Sequence, residues 1–320
     1  MPSRLVRPEP NRNQRSCEDG GVVVRTESLL EIVKLFEQAG AAAAIELDVL
    51  DPDRGAGRYA GEVVDIDGVS YVHRPFRVWV DLAERLGFRL STPRPIEAPL
   101  VRLRFERLAT EASVAVDDPA EKYGASSEFA RTTKLEEPGF VIDFAEALDR
   151  VELPERPRIL DLGVNTGDEL ALMLALRPSL REATFVGVDR STSALAKARE
   201  RFPFATFVEA DLDQPLELGE PFDLVVTIAT LQSPSIDDRA LLRRVFQRHL
   251  TPTGAVILGV PNCRIVDGEQ RYGARMKNFR QPELGLLIKD VAFYRKYLQQ
   301  HARQVFVTGK NYLFVTGVPA

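Results

Sequence analysis

The stretch that decides the fold is Arg158-Ile159-Leu160-Asp161-Leu162-Gly163-Val164-Asn165-Thr166-Gly167-Asp168. An apolar strand ends in an acid, a tight loop of small residues follows, and a helix begins. In open α/β sheets ligands bind outside the carboxyl ends of the strands, so this loop faces the expected pocket. Gly163 lets the backbone approach a ligand, and Asn165 is the non-glycine residue that best tolerates a left-handed conformation. The helix N-terminus offers free N–H groups to an anionic ligand group. A dinucleotide fingerprint would need glycine near 163, 165 and 168, and position 168 is Asp, whose charge repels a pyrophosphate. Asp161 suits instead a ligand that carries an ammonium group.

Working outward, strands and helices alternate from Arg158 to the end of the chain. Candidate strands are 158–162, 184–188, 205–209, 222–228, 254–260, 304–308 and 312–318, and candidate helices centre on 168–177, 192–201, 238–249 and 290–301. The alternation predicts a seven-stranded, Rossmann-like α/β sheet, mostly parallel. Only Gly309, Lys310 and Asn311 separate the last two strands, too few for a parallel crossover, so the chain ends in an antiparallel hairpin. Upstream, Phe140 to Leu148 is an amphipathic helix.

Residues 21–115 predict a smaller N-terminal α+β domain, a substrate or oligomerisation module. Leu29 to Phe36 has helical spacing and Ala44 to Leu50 suits a strand. Asp67-Gly68 turns a hairpin between 62–66 and 69–72. Pro75 opens a helix with Trp79 on its apolar face. Val101, Leu103 and Phe105 alternate with Arg102, Arg104 and Glu106, which gives a strand one apolar face. Residues 1–20 are expected to be a disordered tail, 116–155 a linker and helical lid, and 156–320 a cofactor-binding domain.

In this second half the chain resembles the class I S-adenosylmethionine (SAM)-dependent methyltransferases. Their glycine loop runs acid-x-Gly-x-Gly-x-Gly, and here it reads Asp161-x-Gly163-x-Asn165-x-Gly167, with Asn165 in place of the middle glycine. Phe185-Val186-Gly187-Val188-Asp189 is a second strand ending in an acid, 28 residues after Asp161. The resemblance implies that Asp189, with Arg190 beside it, binds the ribose hydroxyls. It implies that Asp211 and Leu212 lie by the adenine, and that Thr227 and Ile228 lie beside the sulfonium. SAM is the implied cofactor and S-adenosylhomocysteine its product. In the family the segment before the first strand often closes over SAM, which here implicates Tyr123 and Phe129.

The place where nucleobase amino methyltransferases often carry Asn-Pro-Pro-Tyr holds Thr227-Ile228-Ala229-Thr230-Leu231-Gln232, so that class loses support. From Pro261 to Arg303 there are nine Lys or Arg against four Asp or Glu, in a chain of net charge −5. This stretch follows the fifth strand on the pocket side. It reads as a substrate lid holding an anionic group through Arg271, Arg275, Lys277 or Arg280. Gln232, Asn262 and Arg264 complete the candidate substrate residues. The substrate is expected to enter between the N-terminal domain and the 262–280 loop. A base is needed only if the acceptor carries a proton at neutral pH, and the candidates are Asp267, Glu269, Tyr272 and His73. Cys263 reads as a packing residue.

The function expected from the sequence is therefore methyl transfer to an anionic small molecule. Two other readings stay open: a tRNA or rRNA methyltransferase, whose binding would weaken steeply with salt, and a non-catalytic SAM-binding regulator. Composition narrows the rest. The 320 residues are 44% hydrophobic and 28% charged, ordinary for a globular chain, and no run approaches the ~20 apolar residues of a membrane helix. Two distant cysteines and three histidines argue against a disulfide framework and a metal site, and fit a cytoplasmic setting. The oligomeric state stays open, a homodimer included.

Overall fold

A computed structural model describes residues 21–109, 121, 124–125, 127–273 and 284–320. The chain divides into two units, Met1–Thr110 and Glu111–Ala320. The first begins with strand β1 (Val22–Val23), helix α1 (Leu29–Gln38) and strand β2 (Ala44–Leu50). A capping box starts α1: the Glu31 N–H donates to the Ser28 hydroxyl and the Ser28 N–H donates to the Glu31 carboxylate. The expected hairpin is β3 (Val63–Ile66) and β4 (Val69–Val72). Its turn residues Asp67 and Gly68 have φ of 51° and 77°, as a tight primed turn requires. Helix α2 (Phe76–Leu86) and strands β5 (Phe88–Leu90), β6 (Arg94–Pro95) and β7 (Leu100–Arg107) complete the unit.

The main sheet of this unit runs β1-β2-β7-β5, with β6 also on β7, and β3-β4 stands as a separate ribbon. Alternation along β7 sorts its faces. Val101, Leu103 and Phe105 share a core with Ile32, Phe36 and Trp79 of the helices. On the opposite face Arg102 pairs with Asp48 at 2.7 Å and Arg104 with Glu46 at 3.0 Å. His73 is a buried residue of this unit, 2% exposed. Its ring packs so closely on Gly55 that a Cβ there would collide with it.

The second unit begins its regular core with helix α3 (Pro138–Asp149), strand β8 (Arg158–Leu162), helix α4 (Asp168–Leu176) and strand β9 (Thr184–Asp189). Next come α5 (Thr192–Arg201), β10 (Thr206–Glu209), β11 (Phe222–Ile228), α6 (Asp238–Arg244) and β12 (Leu250–Pro261). The chain closes with β13 (Cys263–Val266), β14 (Glu269–Tyr272), α7 (Leu284–Gln300), β15 (Arg303–Thr308) and β16 (Tyr312–Pro319). The seven-stranded sheet runs β10-β9-β8-β11-β12-β16-β15. Its first five strands are parallel, and β16 is antiparallel to both neighbours, as the short connection to β15 demands. Successive side chains leave a strand on opposite faces. Ile159 therefore packs with Phe140, Phe144 and Met173, while Leu160 packs with Leu241, Tyr294 and Leu298 on the other side.

Three elements differ from expectation. The helix over 238–249 is α6 followed by a π-helical turn at Val245–His249. Helix α7 begins at Leu284, ahead of the expected 290. The first part of the 262–280 loop is the β13–β14 hairpin, turned at Asp267 and Gly268 with φ of 52° and 79°. Residues 274–283, with Arg275, Lys277 and Arg280, lie outside the described residues. So do the 1–20 tail, the 110–120 linker, Tyr123 and the Phe129 side chain. Among the described residues no helix is long and apolar enough to cross a membrane.

Candidate functional site

Parallel pairing of β8 with β9 and β11 brings the carboxyl ends of three strands to one edge. The loop after β8 folds back on β9: the Gly163 and Val164 N–H groups donate to the Val188 carbonyl at 2.8 and 3.1 Å. Asp189, at the end of β9, accepts from the Asn165 N–H at 2.9 Å and the Ser191 N–H at 3.0 Å. One carboxylate thus ties the glycine loop to the next strand and leaves its outer lone pairs for a ligand. Gly163, Asn165 and Gly167 have φ of 82°, 46° and 85°, so the asparagine adopts the conformation that a glycine would take there. A Cβ on Gly163 would collide with Thr230 Oγ1, a close approach that only glycine allows.

Asp161 is 3% exposed, and neither of its carboxylate oxygens has a hydrogen-bond partner. Burial, and then the charge of Glu169, push it well above the usual carboxylate range. Glu169, in the first turn of α4, is 1% exposed; one of its oxygens is unpartnered and the other forms an ion pair with Lys134. Burial works against the Lys134 charge, but Glu169, Asp161 and Asp168 outweigh it and hold the ammonium above its ordinary value. The result is a buried charge cluster that can receive a further cation.

The remaining predicted residues occupy different places. Asp211 is exposed and accepts the Asp213 N–H at 2.9 Å, while Leu212 is buried and its carbonyl accepts from Arg244. Arg190 reaches the Ser235 hydroxyl at 3.4 Å. Thr227 and Ile228 are buried at the end of β11, and the next residue, Ala229, has φ of 59°, a costly conformation for alanine. The Gln232 side-chain amide is buried beside the Tyr294 hydroxyl. Asn262 donates to the Lys310 carbonyl at 3.2 Å. Arg264 and Arg271 face each other across the β13–β14 hairpin. That hairpin is held by Gln270, which donates to Glu137 at 3.4 Å and accepts from Asn311 at 3.1 Å. Asp267 sits at the exposed hairpin tip, Glu269 is half-buried and Tyr272 is 43% exposed. Cys263 is buried in the core, with Gln270 donating to its sulfur at 3.3 Å.

Sequence reasoning missed the polar work of residues 121–137. Glu121 is hydrogen-bonded to the Ser191 and Ser193 hydroxyls, Ala125 N–H donates to Ser193 Oγ at 2.8 Å, and Lys197 donates to the Ala125 carbonyl at 3.0 Å. Thr133 donates to Asp168 at 3.4 Å, next to the Lys134–Glu169 pair. This segment therefore crosses the N-termini of α4 and α5. An isolated lysine in a polar stretch carries no sequence signal for such burial.

Residues 159–254 match the model of a methyltransferase domain family. Together with the strand order and the glycine loop, this decides the class. The chain carries a class I SAM-dependent methyltransferase domain. SAM is its cofactor. Among curated proteins, the chain is similar to a trans-aconitate 2-methyltransferase of Variovorax paradoxus (strain S110). It is 36% identical over 119 residues, which cover 37% of this chain and 44% of the relative. A trans-aconitate 2-methyltransferase of Methylobacterium nodulans is 33% identical over 141 residues, 41% of this chain and 52% of the relative. The chain thus spans about half the length of the curated relatives it matches. A SAM-dependent methyltransferase structure from Mesorhizobium loti aligns with a TM-score of 0.36 at 21% identity, covering 52% of this chain and 93% of that one. The donor set of the methyltransferase domain fits its cofactor: an unpartnered buried carboxylate, a loop that comes close only through glycine, and a second carboxylate with spare lone pairs.

Proposed function

We propose that the chain methylates a carboxylate oxygen of a small anionic molecule. SAM supplies an electrophilic methyl group on a sulfonium centre. Asp161 takes its ammonium group, the Gly163–Gly167 loop lies along its amino-acid portion, and Asp189 accepts hydrogen bonds from the ribose. Asp211 and Leu212 border the adenine, and Thr227 and Ile228 border the reacting side. Arg264 and Arg271 hold the substrate, with Gln232 and Asn262 beside them.

The observation that carries the substrate class is the pairing of Arg264 with Arg271. Guanidinium groups at directly opposed hairpin positions can both reach one anion, and each suits a carboxylate. Burial already pushes the Arg264 guanidinium below its ordinary value, which an anion would offset. Both curated relatives above are named for a carboxylate substrate. A carboxylate is ionised at neutral pH, so this reaction needs no general base. The protein's contribution is alignment and exclusion of water, and none of Asp267, Glu269, Tyr272 or His73 is required to move a proton. RNA as acceptor has less support, because these relatives are named for a small molecule.

Steady-state kinetics with trans-aconitate and related di- and tricarboxylates test the reading. Arg264→Ala and Arg271→Ala should each raise KM by about 10- to 100-fold, the worth of a charged hydrogen bond, with S-adenosylhomocysteine affinity unchanged. Turnover of the carboxylates that is indifferent to both substitutions, or methylation of RNA alone, would overturn it.

A further inference from the structure

The β13–β14 hairpin stands apart from the seven-stranded sheet, and its ladder is four residue pairs long. A two-stranded ribbon is marginally stable on its own, so its place depends on what its side chains touch. Opposed residues share a face, and the faces alternate along each strand. Cys263, Ile265, Gln270 and Tyr272 therefore share one face, and Arg264, Val266, Glu269 and Arg271 share the other. Gln270 anchors the first face. Its Nε2 donates to Glu137 at 3.4 Å and to Cys263 Sγ at 3.3 Å, and its Oε1 accepts from Asn311 Nδ2 at 3.1 Å. Glu137 is the residue before α3, and Asn311 lies in the turn between β15 and β16. The second face is covered as well, with Arg264 half-buried and Val266 buried.

Both outer partners of Gln270 sit on one core. Phe140 of α3 and Tyr312 of β16 pack edge-on at 5.0 Å, in the cluster that also holds Cys263. At the hairpin's root the Asn262 N–H donates to the Asn311 carbonyl at 2.7 Å, and the Gly273 N–H donates to the Asn262 carbonyl at 2.8 Å. Backbone bonds thus tie the root, and the Gln270 amide ties the body. An amide offers two N–H donors and a carbonyl acceptor at one side-chain end, which matches the Glu137, Cys263 and Asn311 contacts. We propose that Gln270 is a positioning residue for the substrate: it docks one face of the hairpin, so that Arg264 and Arg271 on the other face stand where they grip the anion. This rests on the reading of those two arginines as the substrate grip.

Steady-state kinetics with trans-aconitate, calorimetry with S-adenosylhomocysteine and amide hydrogen exchange test it together. Gln270→Ala should raise KM for trans-aconitate by about 10-fold, the worth of a hydrogen bond to a charged group, with kcat and S-adenosylhomocysteine affinity little changed. Amides of the Cys263–Val266 and Glu269–Tyr272 strands should exchange faster, because the hairpin opens locally. Gln270→Glu sets a second carboxylate against Glu137 and should raise KM further. The Gln270→Glu/Glu137→Gln double variant restores that bond with its direction reversed and keeps the acceptor for Asn311, so KM should return toward the wild-type value. A loosened hairpin with KM unchanged, or a double variant no better than Gln270→Glu, would overturn the positioning role. So would losses of kcat and S-adenosylhomocysteine affinity as large as the rise in KM, which mark general damage to the fold. Wild-type protein that leaves trans-aconitate unmethylated, while Gln270→Ala still speeds hairpin exchange, would overturn the carboxylate reading and uphold the docking by Gln270.

Discussion

On the proposed reading Asp161 binds the ligand at the expense of the ligand-free protein, and Asp161→Asn should separate the two. The side chain is 3% exposed, with both oxygens unpartnered. A buried unsatisfied polar group costs about 1–3 kcal/mol, and more when charged. Burial and the Glu169 charge raise its pKa well above the ordinary range. The sign follows from proton uptake. Between the ordinary carboxylate range and the raised folded value, the native protein binds more protons than the unfolded chain, so stability falls as pH rises through that window. Asparagine keeps the shape and removes the charge. The ligand-free variant should therefore gain about 1–2 kcal/mol at pH ~8, or ~2–8 °C for a unit of this size at ~2–4 °C per kcal/mol. The gain should shrink toward zero as pH falls to the ordinary carboxylate range. Differential scanning calorimetry of the ligand-free proteins across that pH span reads both quantities. A variant less stable than wild type at the alkaline end, or one with an unchanged pH slope, would refute the reasoning.

Other predictions concern the loop, the substrate and the core. Asp189→Ala removes both the tie to Asn165 and the proposed ribose acceptor. It should weaken S-adenosylhomocysteine by at least ~100-fold, from the loss of two charged hydrogen bonds, with circular dichroism unchanged. The Arg264→Ala/Arg271→Ala double variant should raise KM for the carboxylate by at least ~100-fold with little change in melting temperature; a lowered melting temperature with KM unchanged would point to a structural role. Phe140→Ala deletes a side chain that is 0% exposed, stacked 5.7 Å from Phe144 and edge-on to Tyr312 at 5.0 Å. It should cost about 3–5 kcal/mol in a denaturant titration.

Much of the C-terminal unit was legible because its signals are local. Buried parallel strands read as apolar runs, and the three-residue link between β15 and β16 forces their antiparallel pairing. The left-handed Asn165 followed from its side chain alone. The β13–β14 hairpin was missed although Asp267-Gly268 repeats the turn signal that revealed β3–β4, because β13 and β14 hold Arg264, Arg271 and Glu269 and show no clean apolar alternation. The strands β1, β5 and β6 are two or three residues long, too short for any period to show. Of the candidate site, the left-handed glycine loop and the strand-end acids Asp161 and Asp189 were legible as positions in the fold. Lys134 and Glu169 were not legible, because their burial depends on residues 35 positions apart meeting in space.

The most direct test of the central claim is a methyl-transfer assay with methyl-labelled SAM and separate pools of small carboxylates and RNA. The account predicts label in a small carboxylate as a base-labile methyl ester, abolished by Asp189→Ala and reduced by the Arg264→Ala/Arg271→Ala pair. Label recovered only in RNA, or in a base-stable product, would contradict it.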